Sequence, residues 1–183
     1  APVTADLNIG ALVTAFKKSK GDVICLLDSD DFFRLNKIKI IVNYFKKNLN
    51  TNFVQDTAIK FKDNKIKSVM TLKKKINLFT IWPSFFPTST ISMKRNFFKK
   101  FMFFISKNNY PNLEIDARLA MYAYFTNNFQ TINKCLTYYT LDSAGITFEY
   151  KKYSKKWWLK RKDAHNYMAF ILKKMNLKRL VGF

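Results

Sequence analysis

The sequence predicts an α/β fold in which helices flank a mixed sheet. The apolar run over residues 23–27 is too short for a typical helix and suits a strand buried on both faces of a parallel sheet. Apolar residues with helical spacing precede it over residues 7–18 and follow it over residues 36–45. This helix–strand–turn–helix order is half of a doubly wound unit.

The rest of the chain continues this alternation. Two strands, residues 53–61 and 66–72, are joined by four polar residues and predict a hairpin. The segment 76–105 is aromatic, and its prolines break regular structure. Further expected elements are a strand opened by residues 88–90, a helix beginning at 94–96, a helix over 117–125, a strand over 132–139 and a helix over 157–172.

The composition is that of a folded, strongly basic protein. Its 183 residues are 48% hydrophobic and 17% aromatic, which argues for one domain with a real core and against disorder. Lys and Arg total 33 against 12 Asp and Glu, so the net charge is +21. Such an excess suits an anionic partner such as nucleic acid, an anionic membrane or phosphorylated ligands. Codon bias in an AT-rich genome is the alternative source of the lysines.

Cysteine content and hydropathy indicate the compartment. Two cysteines make no disulfide framework, and Cys25 lies inside the predicted strand. No apolar run has the length of a membrane span, and no signal peptide precedes the first helix. We expect a cytoplasmic protein, with the inner face of the membrane as an alternative. The chain begins at Ala1, within a pattern, which indicates a fragment.

Three carboxylates, Asp28, Asp30 and Asp31, crowd directly after the predicted strand. At the carboxyl end of such a strand they point into the crevice where open α/β sheets bind ligands. Mg²⁺ or Mn²⁺ would relieve their repulsion, with phosphate oxygens completing the coordination. The alternative is a solvated turn or a helix N-cap, because Asp and Ser both accept backbone N–H bonds.

This region resembles the family-2 glycosyltransferases of the GT-A fold. The resemblance begins with Asn8 and Gly10, continues through residues 20–31, and includes Lys37 at the start of the next helix. Three further segments follow in the family's order, residues 87–95, 113–119 and 136–147. The resemblance implies a GT-A-like catalytic domain over residues 1–150 that lacks its first strand–helix unit, followed by an amphipathic helical segment over residues 151–183.

The resemblance also implies the reaction and its donor site. It implies a hexosyltransferase that moves a sugar, with inversion, from a nucleotide-diphosphate donor to a hydroxyl of a glycan or a lipid-linked acceptor. Asp30 would hold the Mg²⁺ or Mn²⁺ ion, and Asp142 stands where family members often carry a metal-facing histidine. Asp28 would face the nucleotide ribose, Asp31 would support the turn, and Lys37 would contact the donor.

The general base is expected at the helix start in residues 113–119. We assign Asp116 as the base and Glu114 as the reserve. Plain N-capping of the following helix is the alternative role for Asp116. Expected acceptor-binding residues are Thr88, Ser89, Arg95 and Arg118.

Trp157 and Trp158 lie among lysines and arginine at the start of the last predicted helix. This pattern is typical of a helix on a membrane surface, as an enzyme of envelope polysaccharide synthesis would need. The alternative is that these aromatics complete the core.

Two other functions remain as alternatives. A phosphatase of the haloacid dehalogenase type also places Asp-x-Asp after an apolar strand, but Phe32 and Phe33 follow here in place of the usual Thr or Val. A nucleic-acid-binding module would explain the charge and the aromatics. It leaves the three carboxylates unexplained, so no nucleic acid is expected.

Overall fold

The computed structural model describes residues 5–63, 65–71, 85–105, 109–141 and 151–176, with the backbone alone for residues 5–9. The described helices are α1 (Ala5–Lys18), α2 (Lys37–Lys47), α3 (Arg95–Phe101), α4 (Ile115–Phe125) and α5 (Lys155–Lys174). The described strands are β1 (Val23–Cys25), β2 (Phe32–Phe33), β3 (Phe53–Lys62), β4 (Lys65–Val69), β5 (Ile91–Lys94) and β6 (Phe129–Thr140). Short 3₁₀ turns are formed by Thr88–Thr90 and Met102–Phe104.

The strands form one mixed sheet in the order β1-β5-β3-β6-β2, and β4 pairs with the outer part of β3. β3 runs parallel to β6, from Phe53 opposite Phe129 to Phe61 opposite Thr140. β5 is antiparallel to both β1 and β3. β1, β3 and β6 therefore point the same way, and the turn after β1 lies at the same edge of the sheet as the end of β6.

Helices cover both faces of the sheet. Along β3, Phe53 belongs to one hydrophobic cluster and Val54 to the other, as the two-residue period of a strand requires. The Val54 cluster includes Ile41 and Phe45 of α2. The larger, Phe53 cluster takes its residues mainly from β5, α3, α4 and α5, with α1 packed against it.

The structure confirms the predicted helices, the hairpin and the last strand, with small shifts of their ends. Two details differ. Thr88–Thr90 form a 3₁₀ turn before β5 instead of opening the strand itself. Glu114 is the N-cap of α4, so Asp116 lies inside the first turn and does not occupy the cap position.

The prediction of a central parallel strand over residues 23–27 is wrong in its detail. β1 has three half-buried residues and stands at one end of the described strand order. It pairs antiparallel with β5, Val23 opposite Lys94 and Cys25 opposite Ser92. Leu26 is buried beyond the strand because the chain bends there toward the core.

α5 packs into the main core. Its residues Ala164, Tyr167 and Ile171 are fully buried and belong to the same cluster as α4. The apolar side of α5 is therefore the core-facing side. No helix in the described ranges is long and apolar enough to cross a membrane.

Candidate active site

The acidic turn is held from two sides. On one side, the amide of Asp28 donates to the hydroxyl of Ser89 at 2.9 Å. On the other, the amide of Thr140 donates to Oδ1 of Asp31 at 2.8 Å, and the Thr140 hydroxyl donates to the carbonyl of Asp30 at 2.5 Å. The turn is thus fixed between the 3₁₀ turn before β5 and the end of β6.

The turn concentrates negative charge at the sheet edge. Burial raises the pKa of Asp28, and the charges of Asp31 and Asp30 raise it further, while a hydrogen bond from Thr88 counteracts the rise. Burial also raises the pKa of Asp31, opposed by the Ser89 hydroxyl and the Thr140 amide. Asp30 is exposed at the tip of the turn. The energetic penalty of these charges favours a bound cation.

Thr88 and Ser89 lie against this turn. Both were expected to bind the acceptor, and both instead hydrogen-bond groups of the acidic turn, Thr88 at Asp28 and Ser89 at Asp28 and Asp31. The 3₁₀ conformation explains this, since it points both hydroxyls at the neighbouring loop.

Asp116 lies in the first turn of α4, where its Oδ1 accepts a hydrogen bond from the amide of Ala117 at 2.7 Å. Burial raises the pKa of Asp116 to about 7, and the charges of Glu114 and Asp28 contribute to the rise, whereas Lys160 opposes it. The residue is half-buried and keeps some solvent access. The structure thus brings Asp116 within electrostatic reach of the acidic turn.

Arg118 supports the loop that leads to Asp116. This arginine is fully buried, and its guanidinium donates to the carbonyls of Leu113 at 3.0 Å and Tyr110 at 2.6 Å. The expectation that Arg118 binds the acceptor is therefore wrong, because its donors face the backbone inside the protein.

α5 holds the same loop from outside. Oδ2 of Asp163 accepts from both the amide and the side-chain nitrogen of Asn112, each at 2.9 Å. Lys160 forms an ion pair with Glu114 at 2.6 Å. The sequence analysis missed both α5 residues, although an acid on the apolar side of a basic helix was a usable signal for Asp163.

Arg95 lies against the loop between α1 and β1. Its guanidinium donates to the carbonyl of Gly21 at 2.6 Å and to the hydroxyl of Ser19 at 2.8 Å, and it lies over the ring of Phe16. It clamps the loop between α1 and β1, and its role in acceptor binding stays a prediction.

Lys37 lies beneath the acidic turn. It is fully buried, and its ammonium contacts Oδ2 of Asp56 at 2.6 Å, the carbonyl of Ser89 at 2.7 Å and the hydroxyl of Thr137 at 2.7 Å. The expectation that Lys37 contacts the donor is wrong, since the side chain is fully buried and its ammonium is surrounded by three protein oxygens. The sequence analysis missed Asp56 and Thr137, although a carboxylate within the apolar β3 pattern was a signal for the first.

The expected metal ligands are only partly described. Asp142 lies outside the described residues. Within the described ranges, no group of three or more His, Cys, Asp or Glu side chains is close enough to hold a metal alone. Mg²⁺ and Mn²⁺ need fewer protein ligands when phosphate oxygens complete the coordination. The carboxylates of Asp28 and the exposed Asp30 fit that requirement as hard oxygen donors.

Fold and site together define the class: an α/β protein of the GT-A type, with an acidic turn at the sheet edge and a carboxylate on the adjacent helix start. The model of glycosyl transferase family 2 matches residues 8–110. The chain belongs to this family.

Two crystal structures of S. aureus TarS 1-349 are similar to this structure. The one in complex with UDP-GlcNAc has a TM-score of 0.53 and 15% identity, covering 92% of this chain and 46% of that chain. The other has a TM-score of 0.52 and 14% identity, covering 92% of this chain and 44% of that chain. The chain thus spans less than half the length of these similar structures. No curated protein matches this chain.

Proposed function

We propose that this chain carries the catalytic site of an inverting glycosyltransferase, a hexosyltransferase that moves a sugar from a nucleotide-diphosphate donor to a hydroxyl acceptor. The observation that carries the proposal is the acidic turn, which lies within the residues that match the transferase family and is held at the sheet edge between Ser89 and Thr140. Membership of the transferase family favours this reaction over phosphatase chemistry or nucleic-acid binding.

The acidic turn binds the donor in this proposal. Asp28 faces the ribose, and Asp30 holds a Mg²⁺ or Mn²⁺ ion together with the diphosphate oxygens. When bound, this ion stabilises the negative charge that develops on the leaving diphosphate. Asp31 keeps the turn in place through its hydrogen bond from Thr140.

Asp116 acts as the general base. It takes the proton of the acceptor hydroxyl while that oxygen attacks the anomeric carbon from the side opposite the diphosphate. The new glycosidic bond forms as the bond to the diphosphate breaks, which inverts the anomeric centre. A pKa of about 7 keeps Asp116 basic enough to accept a proton near neutral pH. Glu114 is less available because it is paired with Lys160.

The donor and acceptor classes follow from the same reasoning. UDP-GlcNAc is bound by the similar S. aureus protein and is the first donor to test here. We infer a glycan or lipid-linked acceptor, in a cytoplasmic enzyme of envelope polysaccharide synthesis.

Peripheral contact with an anionic membrane belongs to this proposal. Trp158 is 57% exposed and Tyr153 is 66% exposed near the start of α5. Exposed lysines accompany them, including Lys151, Lys152, Lys155, Lys156 and Lys162. An amphipathic aromatic ring beside several cations suits the headgroup region of an anionic bilayer.

Calorimetric titration with UDP-GlcNAc, with and without Mn²⁺, tests the central proposal. Mn²⁺-dependent binding, followed by sugar transfer or slow donor hydrolysis, supports it. Hydrolysis of a phosphomonoester without donor binding would instead indicate a phosphatase. Salt-sensitive binding to a random oligonucleotide, again without donor binding, would point to the nucleic-acid module.

A further inference from the structure

A charged network lies buried beneath the acidic turn. Lys37, Asp56 and Thr137 are all 0% exposed. The Thr137 hydroxyl accepts from the Lys37 ammonium at 2.7 Å and donates to Oδ1 of Asp56 at 2.7 Å. The ammonium also reaches Oδ2 of Asp56 at 2.6 Å. This triad joins α2, β3 and β6 at one point.

Ser89 connects the triad to the acidic turn. Its carbonyl accepts from the ammonium of Lys37 at 2.7 Å, and its hydroxyl accepts from the amide of Asp28 at 2.9 Å. The buried ammonium of Lys37 therefore fixes the position of Ser89, and Ser89 in turn fixes the position of Asp28, the first residue of the turn.

β6 makes the second connection. Thr137 belongs to the triad, and three residues further along the same strand Thr140 binds the turn at Asp30 and Asp31. Both supports of the acidic turn thus depend on contacts with Lys37. Since the chain runs from the acidic turn through β2 to Lys37 at the start of α2, these contacts lead back to the segment that carries the turn.

Stability alone gives a weak reason for such a pair. Removing two charges from water is costly, and replacing a buried ion pair by apolar residues of similar volume is often neutral or stabilising. Burial lowers the pKa of Lys37 here, with the carboxylate of Asp56 opposing the change. An apolar pair could not orient its neighbours, because it cannot hold the Ser89 carbonyl and the Thr137 hydroxyl at hydrogen-bond distance.

We propose that Lys37 and Asp56 are positioning residues of the donor site, which fix Ser89 and the end of β6 so that the acidic turn keeps its binding geometry. This inference rests on the proposed function for its kinetic consequence. Its structural consequence, the order of the turn, does not depend on which ligand binds.

The test compares the wild type with the double variant Lys37→Met, Asp56→Asn, which nearly keeps both volumes and removes both charges. Asn52→Leu is the matched control, since it removes a side-chain hydrogen bond to Asn128 of 2.6 Å at the opposite end of β3. Circular dichroism and thermal unfolding establish that each variant is folded. Should the double variant fail to fold, Lys37→Met alone and Thr137→Val serve for the same measurements.

Hydrogen exchange at the amides of Asp28 and Thr140 is the first readout. The double variant should exchange at both amides at least tenfold faster than the control. The second readout is kinetic. The KM for UDP-GlcNAc and the Mn²⁺ concentration that gives the half-maximal rate should each rise about tenfold in the double variant. Its kcat should stay within about threefold of the wild-type value. Wild-type exchange rates in a folded double variant would overturn the inference. Faster exchange with a wild type that binds no nucleotide sugar would overturn the proposed function and leave the positioning role standing.

Discussion

Burial and the charge of Glu114 raise the pKa of Asp116, and the charge of Asp28, which is distant in the sequence, adds a smaller rise. Asp28 lies in the acidic turn after β1, and Asp116 lies in the first turn of α4. A site with one carboxylate group for the donor and a second for the acceptor proton needs such a juxtaposition.

Asp116→Asn should lower kcat by roughly 10²- to 10⁴-fold, because the amide cannot accept the acceptor's proton. Nucleotide binding should stay within about threefold of wild type, since the acidic turn is untouched. Steady-state kinetics and calorimetry separate the two effects. Glu114→Gln is the control and should retain more activity, and equal losses in both variants would contradict the assignment of the base.

The same substitution should stabilise the fold above neutral pH. The pKa of Asp116 is raised from 3.8 to about 7, so the folded state binds this proton more tightly than the unfolded state. Stability therefore falls as pH rises through that window, and Asn removes the penalty. We expect Asp116→Asn to gain roughly 1–3 kcal/mol at pH 8 and little at pH 4. A thermal melt that shows destabilisation at pH 8 would contradict this prediction and indicate that the Asp116 carboxylate stabilises the first turn of α4.

The pH at which kcat reaches half its maximum should depend on Lys160 of α5. Only the carboxylate form of Asp116 is a base, so kcat should rise with pH through about 7. The charged groups that act on Asp116 are Glu114 and Asp28, which raise its pKa, and Lys160, which lowers it. Lys160→Met should therefore move the pH–rate midpoint upward. Lys162→Met, an exposed position on the same helix, should leave the midpoint in place.

Asp30→Ala should abolish Mn²⁺-dependent binding of the donor while the protein stays folded. Asp30 is exposed, and its backbone carbonyl, which the alanine variant retains, makes the contact with Thr140. Calorimetry with UDP-GlcNAc and Mn²⁺ measures the loss. Undiminished binding by the variant would remove Asp30 from the metal site.

Membrane contact should depend on Trp158. Trp158→Ala should weaken binding to vesicles that contain an anionic lipid by roughly tenfold, with a further loss at high salt. Leu49→Ala is the matched control, because Leu49 is 76% exposed on another surface. Equal sedimentation of both variants with the vesicles, or binding to neutral vesicles alone, would contradict the contact.

Local patterns predicted the elements better than the contacts between them. The helical spacing over residues 36–45 and the hairpin around residues 62–65 were correct because each depends on near neighbours in the chain. The central position of β1 was wrong because strand order depends on pairings between distant segments. Arg118 was misplaced for the same reason, as charge alone does not tell a surface residue from a buried one that binds backbone carbonyls.

The sequence by itself determined the alternating helices and strands, the acidic turn after an apolar strand, and the family to which that order belongs. Only the tertiary structure decided that Asp116 has a raised pKa beside Glu114 and Lys160 and that Lys37 lies buried under the turn. The physical reason is the separation along the chain over which each interaction acts. Periodicity and turn chemistry act over a few residues, whereas desolvation, ion pairing and the shift of a pKa are set by groups that meet only when the sheet and its helices pack.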